Sequence, residues 1–424
     1  MKTALVLILC ISALFLNGCM KREDRGKTVP NYEKPLVWYN NQPANSLTGE
    51  LDMDALAFNE KSWYVGNNAR QGGELRGQMV IDYVRAHGAA LDRNGDGIIG
   101  YVLLIGDIGH NDAITRTCGS RMAMGTAVAD AEHGATEING LEDVCHLPAG
   151  VNLDGSSKYV QDGSVTLDGQ LFIVREIASQ EMKSISGAMW DATTAVNTVN
   201  AWDATFGDRI DVVISNNDVM GMAVFNAWAR RQRVPVFGYD ADPDCVAAIA
   251  EGFAGTVSQN VDVQAYMILH LVRNGLDNAD PMTGIAIPDE AGNVLTPEMY
   301  AYRSDERSFY ANNSAVTLEN YKDYLDPQRP NPQFNGRMDR GDTPADRIWL
   351  NFANGSSFFF AGHFASQFNN NAANMNMTLK ITQGDSVTES SVVDRLVNPQ
   401  EYDGFVLVLI KKDNAAAYLS RLRW

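Results

Sequence analysis

The chain has 424 residues, of which 45% are hydrophobic and 20% charged, and its formal net charge is −18. That length is too great for one core and calls for two domains with additions, and the composition excludes a disordered or fibrous chain. The negative charge argues against a nucleic-acid partner, which needs basic patches.

In chain order, Lys2 precedes an almost wholly apolar run from Ala4 to Leu16. The run is too short for a good membrane span and reads as a signal peptide over 1–18. It closes on Leu16-Asn17-Gly18-Cys19, which resembles a bacterial lipobox. Lipidation of Cys19 is therefore expected, with 19–34 as a tether. No later run of about 20 apolar residues occurs, so the lipid is the expected link to the membrane. The implied place is the cell envelope, in the periplasmic space. Cys118, Cys145 and Cys245 remain in the mature chain. Three thiols allow at most one disulfide, and Cys118 with Cys145, flanking an insertion-like stretch, is the expected pair. No CxxC is present, which argues against zinc and thiol redox sites.

An apolar strand, Leu36 to Tyr39, is followed by a helical pattern near 69–88 and a buried strand, Tyr101 to Ile105. Residues 119–170 are rich in Gly, Ser and Asp and read as an insertion with a hairpin. A strand near 171–178, a helix over 191–206 and a strand from Ile210 to Ser215 come next. Strands at Val234–Gly238 and Gly255–Val257 precede a helix around 261–275. Residues 326–345 carry Pro, Gly, Asn and Arg with few apolar residues and read as a linker. Order then resumes: strands open at Ile348, Met377 and Gly404, with helices after each. Strands alternating with helices predict parallel sheets covered on both faces, an α/β fold.

In such sheets ligands sit beyond the carboxyl ends of the strands. Asn40, His110, Asp112, Asn217 and Asp240 stand at those ends, with Arg116 and Trp190 nearby. Singly, Asn and Asp there act as turn formers or helix caps. As a set they combine planar hydrogen-bonding groups with an aromatic ring. A pyranose needs that combination: its hydroxyls must be paired when buried, and its C–H faces lie on aromatic rings.

The segments WYNNQP (38–43), KSWYVGNN (61–68), DRNGDGIIGYVLLIGDIGHNDAITRT (92–117), AMWDATTA (188–195), RIDVVISNNDVMGMA (209–223) and VPVFGYDADPD (234–244) carry a family resemblance. Together they resemble the galactose/glucose-binding proteins of bacterial ABC transporters, which are type I periplasmic binding proteins. The resemblance implies two doubly wound parallel-sheet lobes joined by a hinge, with a monosaccharide clamped between them. It implies that Trp190 stacks on one sugar face and that Asn40, His110, Asp112, Arg116, Asn217 and Asp240 bind hydroxyls. The chain departs from the family at Asn41, where the family has Lys, and at Gln259, followed by Asn260, where the family has Asn.

The family's opening strands are missing before the WYNNQP segment, and 347–360 and 405–423 resemble them at the other end of the chain. A circular permutation is therefore expected, with 326–345 joining the family's old termini. It supplies Phe359, or its neighbour Phe358, as the second stacking ring. Ser357 stands where the family has a hydroxyl-binding Asp, with Asn354 as a substitute. The expected lobes are 35–60 with 260–295 and 346–424, and 61–259 with 296–325.

Asp92, Asn94 and Asp96, with Gly97 at the turn, resemble the first half of an EF-hand loop. The resemblance implies one structural Ca2+, with the Ile98 carbonyl and Asp211 completing the set. The function expected is binding of glucose or galactose by a monomer without enzymatic activity or a catalytic cofactor. Delivery is to an ABC permease, or signalling through a chemotaxis receptor. The rival is an envelope sugar hydrolase using Asp112 and Asp240 as paired carboxylates.

Overall fold

The apolar runs form strands and the segments between them form helices. The structure, a computed structural model, describes residues 29–44, 51–127, 145, 148, 160–326, 337–338, 340–353, 358–384, 389–396, 398–409 and 413–423. The segment expected to be a signal peptide, most of the expected tether and linker, and the middle of the expected insertion lie outside the described residues.

The strands are β1 (Leu36–Tyr39), β2 (Ser62–Asn67), β3 (Ile98–Ile105), β4 (Gly163–Leu167), β5 (Gln170–Glu181), β6 (Val212–Ser215), β7 (Val236–Phe237), β8 (Thr256–Ser258), β9 (Tyr300–Arg303), β10 (Ser308–Ala311), β11 (Ser314–Val316), β12 (Asp346–Ala353), β13 (Met377–Gly384) and β14 (Gly404–Val408). The helices of the first half are α1 (Met53–Leu56), α2 (Ala69–His87), α3 (Asn111–Ala123), α4 (Ala192–Phe206), α5 (Asp218–Val224) and α6 (Arg230–Gln232). Those of the second half are α7 (Pro243–Ala248), α8 (Val261–Asp277), α9 (Tyr321–Leu325), α10 (Phe358–Ala372), α11 (Glu389–Arg395) and α12 (Ala415–Leu422).

Among the described residues two large sheets form, as expected. One has seven strands in the order β13-β12-β14-β1-β2-β10-β9, parallel except for β9. The other has five, in the order β4-β5-β3-β6-β7, parallel except for the hairpin strand β4. β8 bridges to the β7 edge through Phe237–Gly255 and Asp240–Ser258. The central strands of each sheet are buried on both faces and are near-continuous apolar runs. On one face of the seven-stranded sheet Val37, Leu350 and Val406 pack with Leu269 of α8 and Phe364 of α10. On the other, Trp38 and Trp349 pack with Val392 of α11 and Tyr418 of α12.

The C-terminal segment is part of the first sheet's centre. β14 pairs with β1 in parallel register, Leu36 opposite Phe405, and β12 pairs with both β14 and β13. Counted from β12, the order of the first five strands is 2-1-3-4-5. Counted from β3, with β4 set aside, the second sheet follows the same doubly wound order through β5, β3, β6, β7 and β8.

The expected lobe boundaries need correction. The sequence pattern places residues 61–67 and 300–311 in the second lobe. However, β2 pairs with β1, Leu36 opposite Ser62, and β10 pairs with β2. Both segments therefore belong to the seven-stranded sheet. β9 to β11 are not expected from the sequence because each spans only three or four residues, too few to set a hydrophobic period. The disulfide expected between Cys118 and Cys145 is present, and Cys245 is free and buried.

The chain passes between the sheets at Asn67–Ala69, Ser258–Val261 and Ala311–Ser314. Amides fasten these crossings to one another. Asn68 Nδ2 donates to Asn312 Oδ1 at 3.2 Å, and Asn313 Nδ2 donates to the Asn68 carbonyl at 2.6 Å. Asn260 Nδ2 donates to the Asn312 carbonyl at 2.6 Å and to Ser314 Oγ at 2.9 Å. Short polar side chains here satisfy backbone groups that have left a sheet without helical or strand partners.

Candidate functional site

The carboxyl ends of β3, β6, β7 and β8 bring most of the expected residues together. After β3, His110 caps α3 by accepting from the Asp112 N–H through Nδ1 at 3.2 Å. This starts the helix so that Asp112 lies in its first turn and Arg116 one turn on, both buried. Arg116 donates through Nε to the Asp112 carbonyl at 3.2 Å and through Nη1 to the Asn216 carbonyl at 2.8 Å. Its Nη2 lies 3.6 Å from Asp112 Oδ2, and its guanidinium lies over the Tyr239 ring at 3.8 Å. The guanidinium is thus fixed by carbonyls, a carboxylate and an aromatic face, which preorganises it for a ligand oxygen.

Trp190 is placed by a glycine. A Cβ on Gly106 would lie 2.0 Å from the indole ring, so only glycine lets the ring cover the end of β3. The Trp190 N–H donates to the Gly106 carbonyl at 3.3 Å. His110 meets the indole edge-on at 5.6 Å, and the ring stays partly exposed. Asn217, at the end of β6, caps α5 by accepting from the Met220 N–H at 3.0 Å, so its carbonyl oxygen is committed to the fold.

Asp240 follows β7, with its Oδ1 accepting from Gln259 Nε2 at 2.5 Å. Gln259 Oε1 is buried with no donor among the described residues. An unmet buried acceptor costs about 1–3 kcal/mol, which a ligand hydroxyl would recover. Asn40, Trp190, Asp240 and Asn260 carry φ of 63°, 59°, 121° and 47°. Backbone held in this region clusters at ligand clamps, where the surrounding fold enforces it.

At the end of β1, the Asn40 carbonyl accepts from the Tyr64 hydroxyl at 2.6 Å. Asn41 Nδ2 donates to the Leu409 carbonyl at 2.6 Å, tying β1 to the end of β14. Asn260 lies at a crossing, with its amide nitrogen committed there. Cys19, Asn354 and Ser357 lie outside the described residues, and Phe358 and Phe359 open α10, where only the backbone is described.

Four further residues stand beside these without having been expected from the sequence. Asn67, at the end of β2, donates to Asp112 Oδ2 at 2.6 Å, and Tyr239 lies beneath Arg116. Arg76, fully buried, donates to the Ser215 carbonyl at 2.5 Å and to Asn216 Oδ1 at 2.9 Å. Burial and the nearby Arg116 lower its pKa to about 9. Its spacing from Gly72, Gly73 and Val80 on α2 puts it on the buried face, a signal readable from sequence. Asp218 is fully buried and accepts from the Asp242 N–H and the Thr256 hydroxyl, both at 2.8 Å. Burial raises the Asp218 carboxyl and neighbouring Asp240 raises it further; burial raises Asp240 too, against the pull of Arg116.

The Asp92 loop closes on itself. Asp92 accepts from Gly95 and Gly97, Asn94 from Asp96, and Asp96 from Ile98. Asp211 accepts from the Arg93 and Gly100 N–H groups at 3.0 and 2.8 Å. The oxygens are chemically suited to calcium and retain further lone pairs. Among the described residues, however, no group of three or more His, Cys, Asp or Glu side chains converges as a metal site.

Burial pushes the Asp211 carboxyl up to about 7 despite those two donors. Its folded pKa thus lies above the value of about 3.9 for the unfolded chain. The stability it contributes is whole below about pH 4 and is lost as pH rises through about 7. Asp218 and Asp240 shift in the same direction. In chelator-treated protein, thermal melting is expected to give a lower Tm at about pH 7.5 than at about pH 4.5. A Tm that rises across that interval contradicts the assignment.

Residues 52–280 match the model of a periplasmic binding protein domain, and residues 345–415 match a second model of the same description. The first match covers more than half of the 424 residues. The chain belongs to the periplasmic binding protein family, and its fold is mixed α/β with parallel-rich sheets, as in type I members. The D-galactose/methyl-galactoside binding periplasmic protein MglB of Haemophilus influenzae is 29% identical over 243 residues, covering 57% of this chain and 56% of that protein. A xylitol-binding protein of Mycolicibacterium smegmatis is 39% identical over 80 residues, covering 18% of this chain and 23% of that one. The chain thus spans little more than half of the length of the first relative and less of the second. Among solved structures, a periplasmic solute-binding protein from Actinobacillus succinogenes with bound D-allose matches at TM-score 0.41 and 17% identity, covering 68% of this chain and 72% of that one. A galactofuranose-binding protein matches at TM-score 0.40 and 12% identity, covering 70% and 72%.

Proposed function

We propose that the protein binds a monosaccharide of the glucose or galactose type between its two large sheets and passes it to an ABC permease. The observation that carries this is the gathering of Asp112, Arg116, Trp190, Asn217, Asp240 and Gln259 at the strand ends, with a buried Gln259 oxygen awaiting a donor. Carboxylates and guanidinium serve sugar hydroxyls, and the indole serves a C–H face. The match to a galactoside-binding relative supports the same ligand class. Sugar touching groups on both sheets favours the closed arrangement, reached by bending at the three crossings.

The reading includes a circular permutation, with Phe359 closing on the sugar opposite Trp190. The sheet order counted from β12 and the family match at 345–415 support it. It also includes periplasmic residence with lipid anchoring at Cys19, and docking of the closed form on a permease or a chemotaxis receptor. The charge groups serve binding, and no hydrolysis of glycosides is expected. Calcium at the Asp92 loop is a further part of the reading; adding the ion to chelator-treated protein should raise the Tm, and no change returns the loop to a plain turn. Calorimetric titration with glucose, galactose and a pentose tests the ligand. One hexose should bind more tightly than the pentose, and no heat with any sugar overturns the assignment.

A further inference from the structure

We propose that Asn67 and Tyr239 are positioning residues that aim Asp112 and Arg116 at the ligand, and that they thereby set which sugar hydroxyl is recognised. The proposal rests on the monosaccharide reading of the cleft. Asn67 belongs to β2 of the seven-stranded sheet, whereas Asp112 opens α3 beside the five-stranded one. The Asn67 Nδ2 bond to Asp112 Oδ2, at 2.6 Å, therefore crosses between sheets at the hinge. It fixes one carboxylate oxygen and leaves the other to face a ligand.

Tyr239 holds Asn67 in turn. Its hydroxyl lies 3.1 Å from Asn67 Oδ1 and 3.1 Å from Asn313 Oδ1, and its one proton is shared between these two acceptors. Burial raises the Tyr239 pKa, which keeps the hydroxyl a donor. The position is crowded: a Cβ on Gly72 would lie 2.1 Å from that hydroxyl, so α2 fixes it sterically. The Tyr239 ring also supports the Arg116 guanidinium at 3.8 Å. One phenol thus orients two ligand-facing groups, through its hydroxyl and through its face. Asn67, Tyr239 and Asn313 are all buried, so water does not compete for these bonds.

The test is calorimetry on the full chain with the preferred hexose and its monodeoxy analogues, using wild type, Tyr239→Phe, Asn67→Ala and Asp112→Asn. Tyr239→Phe keeps the ring under Arg116 and should weaken hexose binding about three- to tenfold. The weakening should vanish with the one monodeoxy analogue on which Asp112→Asn also has no effect. Asn67→Ala, an independent probe of the same chain of bonds, should follow the same analogue. Equal weakening against every analogue, or no weakening by either variant, overturns the positioning role. A wild-type protein that binds no hexose removes the sugar reading itself, a result separate from any variant.

Discussion

Glu176→Ala is expected to lower the free energy of unfolding by about 3–5 kcal/mol. Glu176 and Arg121 have no exposed side-chain surface and meet through two bonds, Nη2 to Oε1 at 2.6 Å and Nε to Oε2 at 2.8 Å. Removing the carboxylate leaves the guanidinium charged and buried, and that cost exceeds what the pair itself is worth. The damage spreads because other groups depend on the pair. The Tyr101 hydroxyl donates to Glu176 at 2.8 Å, and Arg121 Nη1 donates to the Cys145 carbonyl at 2.5 Å. Cys145 is also held by its disulfide to Cys118, in the same helix as Arg121. The pair therefore anchors the base of the insertion to β3 and β5. Denaturant unfolding measures the loss, and a change below about 1 kcal/mol, as for an exposed pair, contradicts the account.

Trp190→Ala is expected to weaken hexose binding by about 2 kcal/mol or more, roughly thirtyfold in Kd. The ring lies over Gly106, meets His110 edge-on and has Arg116 at 5.8 Å from its centroid, so its orientation is set before any ligand arrives. Preorganisation of this kind leaves little ordering cost at binding. Because the ring is only partly buried, most of the loss should appear in affinity and little in the apo melting temperature. Trp190→Phe should recover part of the affinity. Unchanged affinity in Trp190→Ala makes the ring a packing group and removes the stacking platform from the site.

Much of this arrangement was legible because the strands are doubly buried. Runs such as Tyr101–Ile105 and Ile210–Ser215 have one physical reading, and the residues after them fall at the ligand-binding edge. His110, Asp112, Arg116, Trp190 and Asp240 were found that way. Long-range pairing was less legible. That Ser62–Asn67 lies beside Leu36–Tyr39 follows from sheet register, which the alternation of one short segment does not specify. Asn67 and Tyr239 were passed over for the same reason, since their importance comes from partners distant in sequence. Asn260, whose backbone is left-handed, also fastens a crossing through Asn312 and Ser314, partners that its place in the sequence does not announce.

A hinged cleft that closes on a monosaccharide makes the molecule more compact when the sugar binds. Small-angle X-ray scattering of the protein with and without saturating hexose tests it most directly. A smaller radius of gyration is expected with hexose, and no change with a sugar that calorimetry shows does not bind. An unchanged or larger radius with bound hexose contradicts it.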